Sequence, residues 1–178
     1  MLDLPAARAL LELDLDLRGR LFVFLSELKI ASLAESDRAW RKHKGPIATY
    51  RYAIAVHAAV LARAVRPPRI RRLRTPAPEF LSPRDELDRP RATRAAVRNP
   101  VLALRSITLL RQAPACEQLR FHARSIAKVC ADLAKDAWIA RRREEALFWR
   151  ATSVYAGHLS RALRERESLV QLAFPIAA

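Results

Sequence analysis

Glycine is nearly missing from this sequence: three residues in 178, at Gly19, Gly45 and Gly157. Glycine supplies the positive-φ positions of tight β-hairpins and the close backbone approach of phosphate-cradling loops. Its scarcity argues against an all-β fold built on short turns and excludes a Gly-rich nucleotide loop. It also leaves no turn that would present an activated Ser, Cys or Thr to an oxyanion donor. Cysteine is as rare. Cys116 and Cys130 lie in a segment that reads as helix, where ~1.5 Å per residue separates their Cα atoms by about 21 Å, too far for a disulfide. Buried, reduced thiols are expected. With His122 they make the main His/Cys grouping, but without the C-x2–4-C or H-x3–5-H pairing that lets zinc ligands converge. No metal and no cofactor is expected. The longest apolar run, 53–62, is about ten residues and contains His57, well short of a membrane span of ~20. The opening MLDLPAAR carries an acidic residue where a secretory leader carries basic ones, so a cytoplasmic location is expected.

Abundant instead are alanine, leucine and arginine, all good helix formers. Hydrophobic residues at 51% and charged residues at 29% fit a globular chain. The reading is all-α: a bundle of about five to six helices with a long Pro/Arg-rich connecting arm. It divides into an N-terminal helical part (1–65), a basic Pro-rich arm (66–99) and a C-terminal helical part (100–178), together one composite domain.

Leu10, Leu13, Leu17, Leu21, Phe24 and Leu28 repeat at helical spacing, which predicts a helix over 5–33, capped by Asp3 and bent at Gly19. Its other face is acidic and suited to pairing with basic clusters. Ser36 and Asp37 read as caps of a short turn ending at Gly45. Pro46 then opens a helix to residue 65, with Ile47, Tyr50, Ile54, His57, Leu61 and Ala64 on one face. Asn99 and Pro100 read as the start of a short helix to residue 112. The proline-free stretch 117–168 is too long for one ordinary helix, so a break is placed between Lys135 and Arg142. Its seams are Leu119, His122, Ile126, Val129 and Leu133, then Trp149, Thr152, Ala156, Leu159 and Leu163. Aromatic spacing shows no internal repeat. The apolar tail after Glu167, containing Phe174, is expected to dock on its own core or on a partner.

Charge carries the functional signal. A net charge of +15 attracts polyanions. Codon bias alone would spread arginine evenly, yet it concentrates. Residues 36–64 hold six basic side chains against one acidic, and 65–99 hold ten against four. Arg38, Arg41, Lys42 and Lys44 form one cluster, and Arg66, Arg69, Arg71, Arg72 and Arg74 a denser one. Arg120, Arg124 and Lys128 recur every four residues as a stripe, and Arg141, Arg142 and Arg143 sit at the expected helix break. Guanidinium forks fit phosphate oxygens and track a backbone without reading bases. Trp40, Tyr50 and Tyr52 are candidates for stacking unpaired bases.

A helix-turn-helix can be drawn around Gly45 and Pro46, but its second helix is mostly alanine and apolar, a poor reader of a major groove. Short, basic and all-helical, the chain is similar in general character to the small helical subunits of multi-protein nucleic-acid complexes, such as those lining the strands in CRISPR effector assemblies. The expected function is a non-catalytic subunit that binds the phosphate backbone of RNA or DNA independently of sequence, alongside other protein subunits. The alternative is a helical adaptor for an acidic protein. Peripheral membrane binding is disfavoured, because the basic clusters lack a neighbouring stripe of large exposed apolar residues. Replacing Arg69, Arg71, Arg72 and Arg74 with Ala is expected to flatten the salt dependence of nucleic-acid binding by ~0.7–0.9 in log–log slope per lost phosphate contact. An unchanged slope in filter binding would make the arm a bystander.

Overall fold

The computed structural model describes residues 3–68 and 99–164. Among them are the short helix α1 (Pro5–Arg8), the long helices α2 (Leu15–Arg41) and α3 (Gly45–Val65), the short α4 (Ile107–Arg111), and the long α5 (Cys116–Ile139) and α6 (Arg143–Arg164). No strand occurs among the described residues, and the fold is all-α. Most of the arm, including Arg69, Arg71, Arg72 and Arg74, and the C-terminal tail lie outside the described residues.

The leucine series of the first segment is all core. Leu10, Leu13, Leu17, Leu21 and Phe24 are at most 4% exposed, and Leu28 is 9% exposed. The helix carrying them is not continuous, and its break is not at Gly19. A 3-10 turn over Ala9–Leu11 precedes a fresh start at Asp14, whose carboxylate accepts the Leu17 N–H at 2.8 Å. A side-chain cap beats continuation here because it satisfies an orphan donor of the new helix. Asp3 caps nothing and instead pairs with Arg8 at 3.6 Å. Downstream, Ser36 and Asp37 are interior helical residues rather than caps. Ser36 is buried and donates to the Ala48 carbonyl of α3 at 2.9 Å, so the serine serves the crossing of two helices.

The segment before α4 also differs from expectation. Asn99 sends its side-chain amide to the His158 carbonyl, and residues 100–103 form only a 3-10 turn. The cap of α4 comes from another part of the chain. The carboxylate of Glu27 on α2 accepts the Arg105 and Ser106 N–H groups, each at 2.9 Å, and the Ser106 hydroxyl. The break between α5 and α6 falls at residues 140–142, inside the expected window. The α5 seam is rotated: Ala123, Cys130, Ala134 and Ala137 are buried while His122, Val129 and Leu133 are half-buried. Small residues let the paired helix come close, and the larger ones flank the contact. Both cysteines are buried, and neither forms a disulfide.

The long helices form two antiparallel hairpins, α2–α3 and α5–α6, joined by the same kind of turn. Their connections carry the same hydrogen bonds. In the first, the His43 N–H donates to the Trp40 carbonyl and the Lys44 N–H to that of Ala39, with His43 at φ 54°. In the second, the Arg141 N–H donates to the Trp138 carbonyl and the Arg142 N–H to that of Ala137, with Arg141 at φ 58°. Aligning Trp40 with Trp138 places Ala48 on Ala146, Ala53 on Ala151, Leu61 on Leu159, Arg63 on Arg161 and Arg66 on Arg164. The same shift exchanges the contacts between hairpins. Tyr50 meets Tyr155 with ring centroids 6.3 Å apart, and His57 meets Phe148 at 4.2 Å. Tyr50 is equivalent to Phe148 and His57 to Tyr155, so each pair maps onto the other, as a two-fold axis between α3 and α6 requires. The expectation of no repeat is thereby corrected. The two hairpins lie 98 positions apart in sequence, and the residues they share are mainly alanine, leucine and arginine, which carry little signal against this composition.

One hydrophobic core runs through both hairpins. Phe24, Leu17, Leu21, Leu119 and Leu163 are among its largest fully buried side chains, each contributing about 1.5–3 kcal/mol by burial. Where the four long helices meet, an apolar cavity of about 70 Å³ remains, with His57, Thr152 and Tyr155 at its polar side. His57 is hydrogen-bonded to the Thr152 hydroxyl. Burial lowers its pKa from 6.5 to about 4, so the imidazole is neutral in the folded protein at pH 7. Between those pH values the unfolded chain binds a proton that the folded chain refuses. The contribution of His57 is therefore whole above pH 6.5 and lost as pH falls toward 4. His158 shifts in the same direction, first by burial and then by Arg161 and Arg51. His57→Gln is expected to reduce, without abolishing, the fall in melting temperature across this window. Parallel curves for the two proteins would place the acid sensitivity elsewhere.

Candidate nucleic-acid interface

The expected cations occupy three kinds of place. The first two are the tips of the hairpins, where a left-handed residue reverses the chain and throws neighbouring side chains outward. At the first tip, Arg41, Lys42 and Lys44 are exposed and Arg38 is half-buried. The Arg41 guanidinium reaches back to the Asp37 carbonyl at 3.5 Å. At the second tip, Arg141, Arg142 and Arg143 are all exposed. Glu145 holds Arg142 at 2.6 Å, which leaves Arg141 and Arg143 as the outward cations, beside the exposed carboxylate of Glu144.

The third place is the outer face of α5. Arg124 and Lys128 are exposed, while Arg120 is half-buried and paired with Glu117 at 2.9 Å. Asp132 and Asp136 are exposed further along the same helix. The stripe is therefore interrupted by carboxylates, and its field is weaker than the spacing of its cations implies. Arg66 leaves α3 with its guanidinium 5.9 Å from the centre of the Phe22 ring, a cation–π contact at the root of the arm.

The acidic face expected of the first segment is engaged within the protein. Glu27 caps α4, Asp16 pairs with Arg20 at 2.7 Å, and Glu35 pairs with Arg51 at 3.1 Å. Arg51 also donates to the Tyr155 hydroxyl. Burial, opposed by Arg51, raises the Tyr155 pKa to about 12. Tyr50 packs against Tyr155 and is committed to the α3–α6 contact. Tyr52 is 55% exposed and remains on the surface.

Trp40 is 60% exposed at the first tip, with an edge of its ring beside Gly45. Trp138 is a further exposed aromatic that sequence reading does not single out as a candidate. It is 62% exposed at the equivalent position of the second tip, beside the even more exposed Ile139. The sequence does hold a signal: each Trp follows an alanine and lies within three residues of a basic run. These exposed side chains also supply the apolar neighbours that the basic clusters were expected to lack.

The tips do not merge into one patch. The pairs Tyr50–Tyr155 and His57–Phe148 make α3 and α6 antiparallel, so their N-termini point to opposite ends of the molecule. At 1.5 Å per residue the tips stand roughly 30 Å apart along the helix axes. Among the described residues no cluster of three His, Cys, Asp or Glu side chains is placed to hold a metal, and no helix is long and apolar enough to cross a membrane.

His43 and Arg141 adopt the left-handed conformation without being glycine, at a cost of roughly 1–2 kcal/mol each. His43→Gly and Arg141→Gly are each expected to stabilise the protein by about 0.5–1 kcal/mol in denaturant unfolding. Destabilisation by either would show that the side chain contributes contacts that outweigh the strain. Comparisons of the chain with family models, curated proteins and solved structures find no match.

Proposed function

We propose that the protein is a non-catalytic, basic helical subunit that binds the phosphate backbone of nucleic acid independently of sequence, within a larger assembly. The observation that carries this reading is where the cations stand. Arg41, Lys42, Lys44, Arg141 and Arg143 are outward at hairpin tips, while Glu27 and Glu35 are turned to capping and pairing within the fold. A surface arranged this way keeps its positive charge available to a polyanion. Exposed Trp40 and Trp138 beside those cations add the stacking partner that unpaired bases favour. The residues that an enzyme would recruit are occupied by packing. His57 lies among Phe148, Trp149 and Thr152, and Tyr155 lies against Tyr50 and Arg51.

The rival reading is an adaptor whose positive surface docks an acidic protein, which uses the charge and leaves the tryptophans aside. The two separate on a matched set of probes. Anisotropy titrations with single-stranded RNA, single-stranded DNA, duplex DNA and polyglutamate are expected to show tightest binding to nucleic acid. Affinity should fall with salt at a log–log slope of about −0.7 per phosphate contacted on a single strand, alike for unrelated sequences. Equal or tighter binding of polyglutamate would favour the adaptor, and absence of nucleic-acid binding at low salt would overturn the proposal.

A further inference from the structure

The two tips are the same device twice. Each ends a long helix with a tryptophan two positions before the cap, then turns through a left-handed residue, His43 or Arg141, into a second helix. The tryptophans are exposed to nearly the same degree, 60% and 62%, although the hydrophobic effect favours hiding so large an apolar ring. Trp149 shows the contrast. It is half-buried, with its indole N–H donated to Glu145 at 3.3 Å. Packing therefore explains Trp149 and leaves most of the Trp40 and Trp138 rings uncovered by the fold.

We propose that each tip is a single-strand binding site, in which the tryptophan stacks on a base and the adjacent cations hold the flanking phosphates, so that one molecule joins two strands. This deepens the nucleic-acid reading above and rests on it. The two-fold axis places the sites at opposite ends, roughly 30 Å apart, facing away from each other. That geometry suits bridging, because a partner at one tip does not obstruct the other. It suits a membrane poorly, since a flat bilayer meets one tip at a time and each tip offers only a small apolar surface, such as Trp138 with Ile139. Base stacking on one aromatic ring makes a weak site at each tip, and long strands that fill both tips make a firm link.

The test uses the full chain and its own fluorescence. Oligothymidylate of about four nucleotides, the lower end of single-strand site sizes, is expected to quench Trp40 and Trp138 and leave Trp149 unchanged. Trp40→Phe and Trp138→Phe should each remove about half of the quench, and the double variant nearly all of it. Bridging is read with longer oligothymidylates, which cannot pair with one another, half carrying a donor dye and half an acceptor. Energy transfer should appear on adding the protein and vanish in Lys42→Ala/Lys44→Ala and in Arg141→Gly/Arg143→Ala, while each variant still binds one strand. Circular dichroism and melting temperature establish that the variants are folded. Binding without quenching, or energy transfer that survives loss of either tip, overturns the two-site proposal and leaves the general nucleic-acid reading standing. No binding of any oligonucleotide overturns both, and a blue shift of Trp40 and Trp138 with phosphatidylserine vesicles in that case assigns the tips to a lipid surface.

Discussion

The structure depends on one antiparallel contact, that of α3 with α6. Alanines make it possible. Ala53, Ala58 and Ala151 are buried and leave the backbones close enough for Tyr50 to reach Tyr155 and His57 to reach Phe148. Around this contact the polar groups are satisfied in pairs: Arg51 on Tyr155 and Glu35, and His57 on Thr152. An unpaired polar group here would cost about 1–3 kcal/mol. The network therefore fixes one register of α3 on α6, and that register sets the direction of both hairpins.

Everything outward follows from that direction. Because α3 and α6 run antiparallel, the turns that open them lie at opposite ends, and the basic clusters at the two tips are separated. The connecting segments are ordered by reciprocal support. Glu27 of the first hairpin caps α4 of the second half, while α1 of the first half packs on α5. Each half completes the other, which ties the described residues on either side of 69–98 into one core.

The legibility of this chain varies with the kind of signal. Helix-period leucines such as Leu17 and Leu21, with Phe24, identify the α2 core face, since apolar spacing directly records which side is buried. Pro46 and the break near Arg141 are equally readable, because proline and the end of a periodic stretch are local events. Caps are not. Asp3 and Asp14 are the same residue type, each just ahead of a helix, α1 and α2, yet only Asp14 captures an N–H. The cap of α4 is beyond local reading altogether, as Glu27 lies far away in sequence. Trp138 is legible only by comparison with Trp40, and that comparison needs the matching turns to set the alignment.

Composition, periodicity and charge thus determined by themselves that the protein is all-α, rich in close-packing alanine, and strongly positive in its middle third. These are properties of local backbone preference and of summed charge, and neither depends on which elements meet. The tertiary structure decided which cations face outward, which carboxylates are withdrawn, and that the two hairpins form a two-fold pair. Those outcomes depend on side chains distant in sequence, such as Glu27 with Ser106 and His57 with Thr152, whose contacts exist only once the helices have packed.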